Sequence, residues 1–155
     1  MTMTEGTKTD RAPLPRAAAW VVQCLLAAVV FGVMDSVWLT TVAGPLYEEH
    51  LGDRLATTPD MTAAAAFYAI YVFGMVWLVI HPAVAAGEGG RALRNGAVLG
   101  LVAYATWSLT NLAVLEGFPR ATVLPELAWG TVVTATTCWL TVVIARRLGA
   151  GRRGA

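Results

Sequence analysis

Asp35 follows a run of 18 residues that carries no Asp, Glu, Lys or Arg. Other polar and aromatic side chains interrupt three further apolar runs: Tyr68 and Tyr71, then Tyr104, Ser108 and Asn111, then Glu126 and Trp129. A carboxylate with hydroxyl, amide and indole N–H donors around it can exchange a proton, do acid–base work, or hold the polar head of an apolar molecule. No Ser-centred elbow, phosphate-binding loop, zinc-protease helix or paired-cysteine motif is present, so no reaction is named. Glu48, Glu49, His50 and Asp53 are metal-ligand types, but one polar turn without a second cluster reads as a solvated loop. No metal and no cofactor is expected. Cys24 and Cys138 fall inside apolar runs and read as small packing residues, a disulfide between them being the weaker alternative.

The elements that must position these residues are plain from the charge pattern. Residues 17–34, 61–87, 95–115 and 127–145 lack Asp, Glu, Lys and Arg. A helix rises roughly 1.5 Å per residue, so about 20 apolar residues cross the roughly 30 Å hydrocarbon core of a bilayer. The chain is 57% hydrophobic and 14% charged, and its helices lack the charged outer face of a soluble bundle. The fold expected is an all-α bundle of four transmembrane helices, with spans near 17–43, 61–84, 92–115 and 126–146. A polar tail (1–16) and a basic tail (148–155) flank this single membrane domain. The tail before span one is polar enough to be disordered. Run 17–34 is longer than a signal-peptide core and no Ala-x-Ala site closes it, so span one is expected to be retained.

Basic residues set the orientation. Lys8, Arg11, Arg16, Arg91, Arg94, Arg146, Arg147, Arg152 and Arg153 fall on one side, and Arg54 and Arg120 on the other. Both termini are therefore expected in the cytoplasm. Gly44-Pro45 should stop span one, and residues 45–51 should form a short interfacial helix in the first outer loop, with Tyr47 and Leu51 towards the membrane. Asp60 is placed to cap span two, and Pro125-Glu126 to open span four.

Each span shows one face suited to a neighbour. Gly96, Gly100, Tyr104 and Ser108 are four apart on span three. Span two offers Tyr68, Tyr71 and Gly74; span four offers Glu126, Trp129, Gly130, Thr134, Thr137 and Thr141. Small residues let helices approach, so Gly74, Gly96, Gly100 and Gly130 are the packing candidates. Asp35 sits about 27 Å up span one and Asn111 about 24 Å up span three. Asp35, Trp38, Tyr68, Tyr71, Tyr104, Ser108, Asn111, Glu126 and Trp129 could thus line one cavity in the outer leaflet. A buried carboxylate there needs partners, and Asn111 and a tyrosine hydroxyl are the available donors.

The pattern Asp35-x-x-Trp38-Leu39, Phe67-Tyr68-x-x-Tyr71-x-x-Gly74, the run from Tyr104 to Ala113, and Glu126-Leu127-Ala128-Trp129-Gly130 resembles a bacterial membrane family, domain of unknown function 2177. The resemblance spans about residues 31–146. It implies a four-span protein of the bacterial inner membrane and singles out the same residues, but it brings no known activity. The family's pattern has an aromatic–Asp pair where this chain has Trp107-Ser108, and an Asp at the position of Glu126. A reaction needing two acids within the spans is therefore in doubt.

Three functions compete. The first is a protein that binds or modifies a lipid-like ligand in an outer-leaflet pocket around Asp35. The second is a structural or assembly subunit, and the third a small proton-coupled transporter, which would need a homo-oligomer. Membrane lipids are the expected partners; nucleic acid is not. Whether the chain is an enzyme is left open.

Overall fold

A computed structural model describes residues 14–150, apart from the side chain of Asp53. Four of its helices are long and apolar enough to cross a membrane: α1 (Arg16–Leu51), α2 (Met61–Ala86), α3 (Gly89–Val114) and α4 (Arg120–Arg147). No strand occurs among the described residues. Most of the polar N-terminal tail, and the end that holds Arg152 and Arg153, lie outside them.

The helices run alternately up and down, and side chains tie the bundle at both ends. At the end shared by the termini, Gln23 Nε2 donates to the Ala150 carbonyl (3.1 Å) and Arg146 Nη1 to the Gly87 carbonyl (2.8 Å). At the far end, Arg54 Nη1 donates to the Glu116 carbonyl (3.3 Å). Gly87 closes α2 with φ of 76°, a left-handed turn that glycine enters without steric cost.

The first helix shows the logic of a membrane bundle. Ala19, Gln23, Ala27, Phe31 and Asp35 are buried, each four residues from the next. Val21, Leu25, Val29, Val33 and Val37, spaced the same way, are 57–63% exposed, as suits a face solvated by acyl chains. Asp60 caps α2, its Oδ1 accepting from the backbone N–H groups of Thr62 (2.8 Å) and Ala63 (3.1 Å).

Two helices contain a widened turn. Leu39–Ala43 in α1 and Val76–Ile80 in α2 are π-helical, and the Gly44 and His81 N–H groups bond back five residues, to Leu39 and Val76. A proline follows each, Pro45 and Pro82. Proline lacks an N–H and its ring meets the carbonyl four residues back; an extra residue in the turn relieves both problems. Gly44-Pro45 therefore does not end the first helix as expected. Residues Gly44–Leu51 are helical but continue α1 instead of starting a separate interfacial helix. Helix α4 likewise begins at Arg120, before the expected start, so Pro125 lies inside it. At that start the Thr122 hydroxyl donates to the Pro119 carbonyl (2.9 Å).

Helix α4 is central, packing on all three others, most extensively on α3. Its Gly130, Val133, Thr134, Thr137, Cys138, Thr141 and Val142 are buried. Opposite them, a Cβ on Gly96 would stand 3.0 Å from both Ala135 Cα and Cys138 Cβ. A Cβ on Gly100 would strike the Gly130 carbonyl, and one on Gly130 the ring of Tyr104. Gly74 differs: a Cβ there meets nothing within 4 Å, so no close crossing requires this glycine. Both cysteines are free thiols.

Overpacking a tight site costs typically about 1–3 kcal/mol, whereas Ala exceeds Gly in helix propensity by about 1 kcal/mol. Gly100→Ala and Gly130→Ala should therefore lower the thermal midpoint in detergent, and Gly74→Ala should leave it unchanged or raise it. Equal behaviour of the three variants would contradict this packing.

Candidate functional site

Asp35 is the junction of three helices. Tyr68 of α2 donates its hydroxyl to Oδ2 (2.5 Å), and Trp129 of α4 donates its indole N–H to Oδ1 (3.2 Å). The acid is 6% exposed. Its neighbours on α1 pack around the same two partners. Phe31, one turn away, meets Tyr68 and Tyr71 at ring-centroid distances of 5.6 and 5.3 Å. Trp38 stacks on Trp129 at 4.8 Å with the planes 5° apart.

A second acid lies at the same end. Glu126, 7% exposed, accepts on Oε1 from the Tyr47 hydroxyl (2.9 Å). Between the two acids is a cavity of about 390 Å³, lined by Asp35, Trp38, Leu39, Tyr47, Phe67, Ala103, Tyr104, Trp107 and Glu126. That volume falls within the range of small-molecule pockets. Leu39 of α1 (46% exposed), Phe67 of α2 (46%) and Trp107 of α3 (59%) also reach the surface of the bundle, so the mouth is bordered by all three helices. The first half of α2 packs chiefly on α1, and α2 meets α3 mainly from Val76 onward, so the helices stand apart where the mouth lies.

The nine ligand candidates from the sequence separate into groups. Asp35, Trp38, Tyr104 and Glu126 line the cavity, and Tyr68 and Trp129 hold Asp35 from behind. Tyr71 is turned to α4, its hydroxyl sharing a 2.8 Å hydrogen bond with Thr134. Ser108 is buried with its hydroxyl unpartnered, and the Asn111 amide nitrogen is also buried without a partner. Asn111 does not supply a bond to Asp35; an indole from α4 takes the place expected for the amide.

Tyr47 and Gln23 are not among the ligand candidates read from the sequence. Tyr47 was assigned to the membrane face, yet it is half-buried against Glu126. A regular helix would carry it about 120° round from Asp35, and the widened turn at Leu39–Ala43 takes back about 100° of that. Gln23 shares the four-residue spacing of Ala19, Ala27, Phe31 and Asp35, a signal present in the sequence. It anchors a polar knot at the terminal end, where its Oε1 lies 3.2 Å from His81 Nδ1 and its amide holds Ala150. Trp20 covers His81 at 4.8 Å.

Four apolar helices enclosing acids define a multi-pass membrane protein with a polar-floored, aromatic-walled pocket. Residues 20–143 match the family described as "Predicted membrane protein (DUF2177)", and the chain belongs to that family. Comparison with curated proteins and with solved structures gives no match.

The bond between Tyr68 and Asp35 should be measurable. Hydrogen bonds to charged groups contribute about 1.5–3 kcal/mol in proteins generally, and interhelical bonds in membranes average nearer about 0.6. A double-mutant cycle with Tyr68→Phe and Asp35→Asn, read by unfolding in detergent, should show coupling of about 1 kcal/mol between these limits. Strict additivity would show that the contact contributes nothing.

Proposed function

We propose that this protein resides in the inner membrane of a bacterial cell with both termini in the cytoplasm, and that its far-end pocket binds a lipid-like molecule from the outer leaflet. Nine Lys and Arg residues on the terminal side against two on the other support the orientation. The cavity carries the functional reading. Its walls are the rings of Trp38, Tyr47, Phe67, Tyr104 and Trp107, its polar groups are two acids, and its mouth opens sideways between helices. A guest that is apolar over most of its length and polar at one end suits such a site. A water-soluble metabolite would have to cross acyl chains to reach it.

The lateral mouth favours binding over a purely structural role. One observation favours the second reading, a scaffold or assembly subunit: both oxygens of Asp35 are engaged by the protein itself, which ties α1, α2 and α4 together. The two readings differ in what the protein carries.

Ala103 lines the cavity, and Ala103→Trp would fill much of it. Native mass spectrometry of protein released from nanodiscs should find one retained amphiphile per wild-type chain and none on Ala103→Trp, with the folded fraction of both checked by thermal unfolding. Bulk lipid alone on both proteins would leave the scaffold reading. For the orientation, a fluorescent reporter fused after Ala155 should light up and an exported phosphatase at the same position should stay silent; the reverse pattern would invert the topology.

A further inference from the structure

The pocket's charge is one-sided. Asp35 and Glu126 both line it, both are more than nine-tenths buried, and no Lys, Arg or His is among the lining residues. Their donors are neutral: Tyr68 and Trp129 for Asp35, and Tyr47 for Glu126. Neutral donors satisfy oxygens but do not balance a negative charge in a low-dielectric site. The described ion pair, Arg91 with Glu88 at 3.6 Å, is at the opposite end of the bundle. At the far end, Arg54 is turned to the Glu116 carbonyl, and His50 and Arg120 are exposed and outside the lining.

The aromatic lining narrows the guest further. Trp38, Tyr104 and Trp107 contribute aromatic rings to the wall, and the negative face of such rings attracts a cation. We infer that the pocket selects amphiphiles with an ammonium head, held by Asp35 and Glu126 across an aromatic wall. A phosphate or carboxylate head would add a further negative charge facing two acids and is disfavoured. The inference rests on the reading of the cavity as a pocket for a lipid-like guest and names the chemistry of that guest's head.

Three amphiphiles with the same twelve-carbon chain separate the two ideas: dodecyltrimethylammonium, dodecylamine and dodecyl phosphate, titrated into the full-length protein in maltoside micelles. Tryptophan fluorescence reports occupancy through Trp38 and Trp107. Saturable binding of both ammonium forms, about tenfold or more tighter than the phosphate, is expected; tenfold corresponds to about 1.4 kcal/mol. Ala103→Trp should abolish it, which excludes simple partition of cations into the micelle. Glu126→Gln and Asp35→Asn should each shrink the preference for ammonium over phosphate. Should Asp35→Asn fail to fold, Glu126→Gln carries the test. Equal binding of all heads, or tighter binding of the phosphate, with Ala103→Trp still blocking, overturns the head inference and leaves the pocket intact. Absence of saturable binding by any of them, or binding unaffected by Ala103→Trp, overturns both.

Discussion

The crossing of α3 over α4 at Gly100 and Gly130 is the contact on which the rest of the bundle depends. A methyl group on either glycine would collide, with the Gly130 carbonyl in one case and the Tyr104 ring in the other. In lipid, helices gain little by burying apolar surface against one another, so close backbone approach and interhelical hydrogen bonds must hold them. The crossing supplies the first. It also places the second, because Trp129 adjoins Gly130 and Tyr104 lies across it. One glycine pair thus fixes a donor to Asp35 and a wall of the cavity together.

Two acids are buried at the far end of four apolar helices, where an isolated charge would be expensive. The protein meets that cost with neutral aromatic donors drawn from other helices. Asp35 receives an O–H from α2 and an N–H from α4, and Glu126 receives an O–H from the distal part of α1. The arrangement knits the far end together without a cation. Neither of the cavity's carboxyl groups is covered by an ion pair among the described residues. This distinguishes the site from the terminal end, where the buried polar group Gln23 is neutral and is bonded to a backbone carbonyl and an imidazole.

Much of this was legible in residue order. Charge-free runs gave four spans because no water is available in a bilayer to solvate charges or unpaired backbone groups. The four-residue spacing of Gly96 and Gly100 marked a packing seam, and the depth of Asp35 placed it near Tyr68 and Trp129. What escaped was phase. Tyr47 lies beyond a widened turn, and a periodicity argument that assumes 3.6 residues per turn puts it on the wrong face. Pro45 reads as a stop in the sequence, yet the helix absorbs it, as it absorbs Pro82, by adding a residue to the turn before it. Asn111 departs from expectation for another reason: equal depth does not mean facing sides, and its amide nitrogen is without a partner while an indole serves Asp35.

The position of the cavity follows from how unequally α2 is held. From Val76 onward it is anchored by buried Val76, Val79, Ile80, Ala83 and Val84, and by His81 against Gln23 and Trp20. Before the widened turn, only Val72 and Met75 are buried, and Met61, Ile70 and Phe73 are exposed. The widened turn at Val76–Ile80 separates these two regimes, which makes it the point about which the first half of α2 can lean away from α3. Arg54 meanwhile ties the loop before α2 to the loop after α3. The far end is therefore joined at its rim and parted below it. The space so bounded lies between α2 and α3, with Asp35 and Glu126 in its lining.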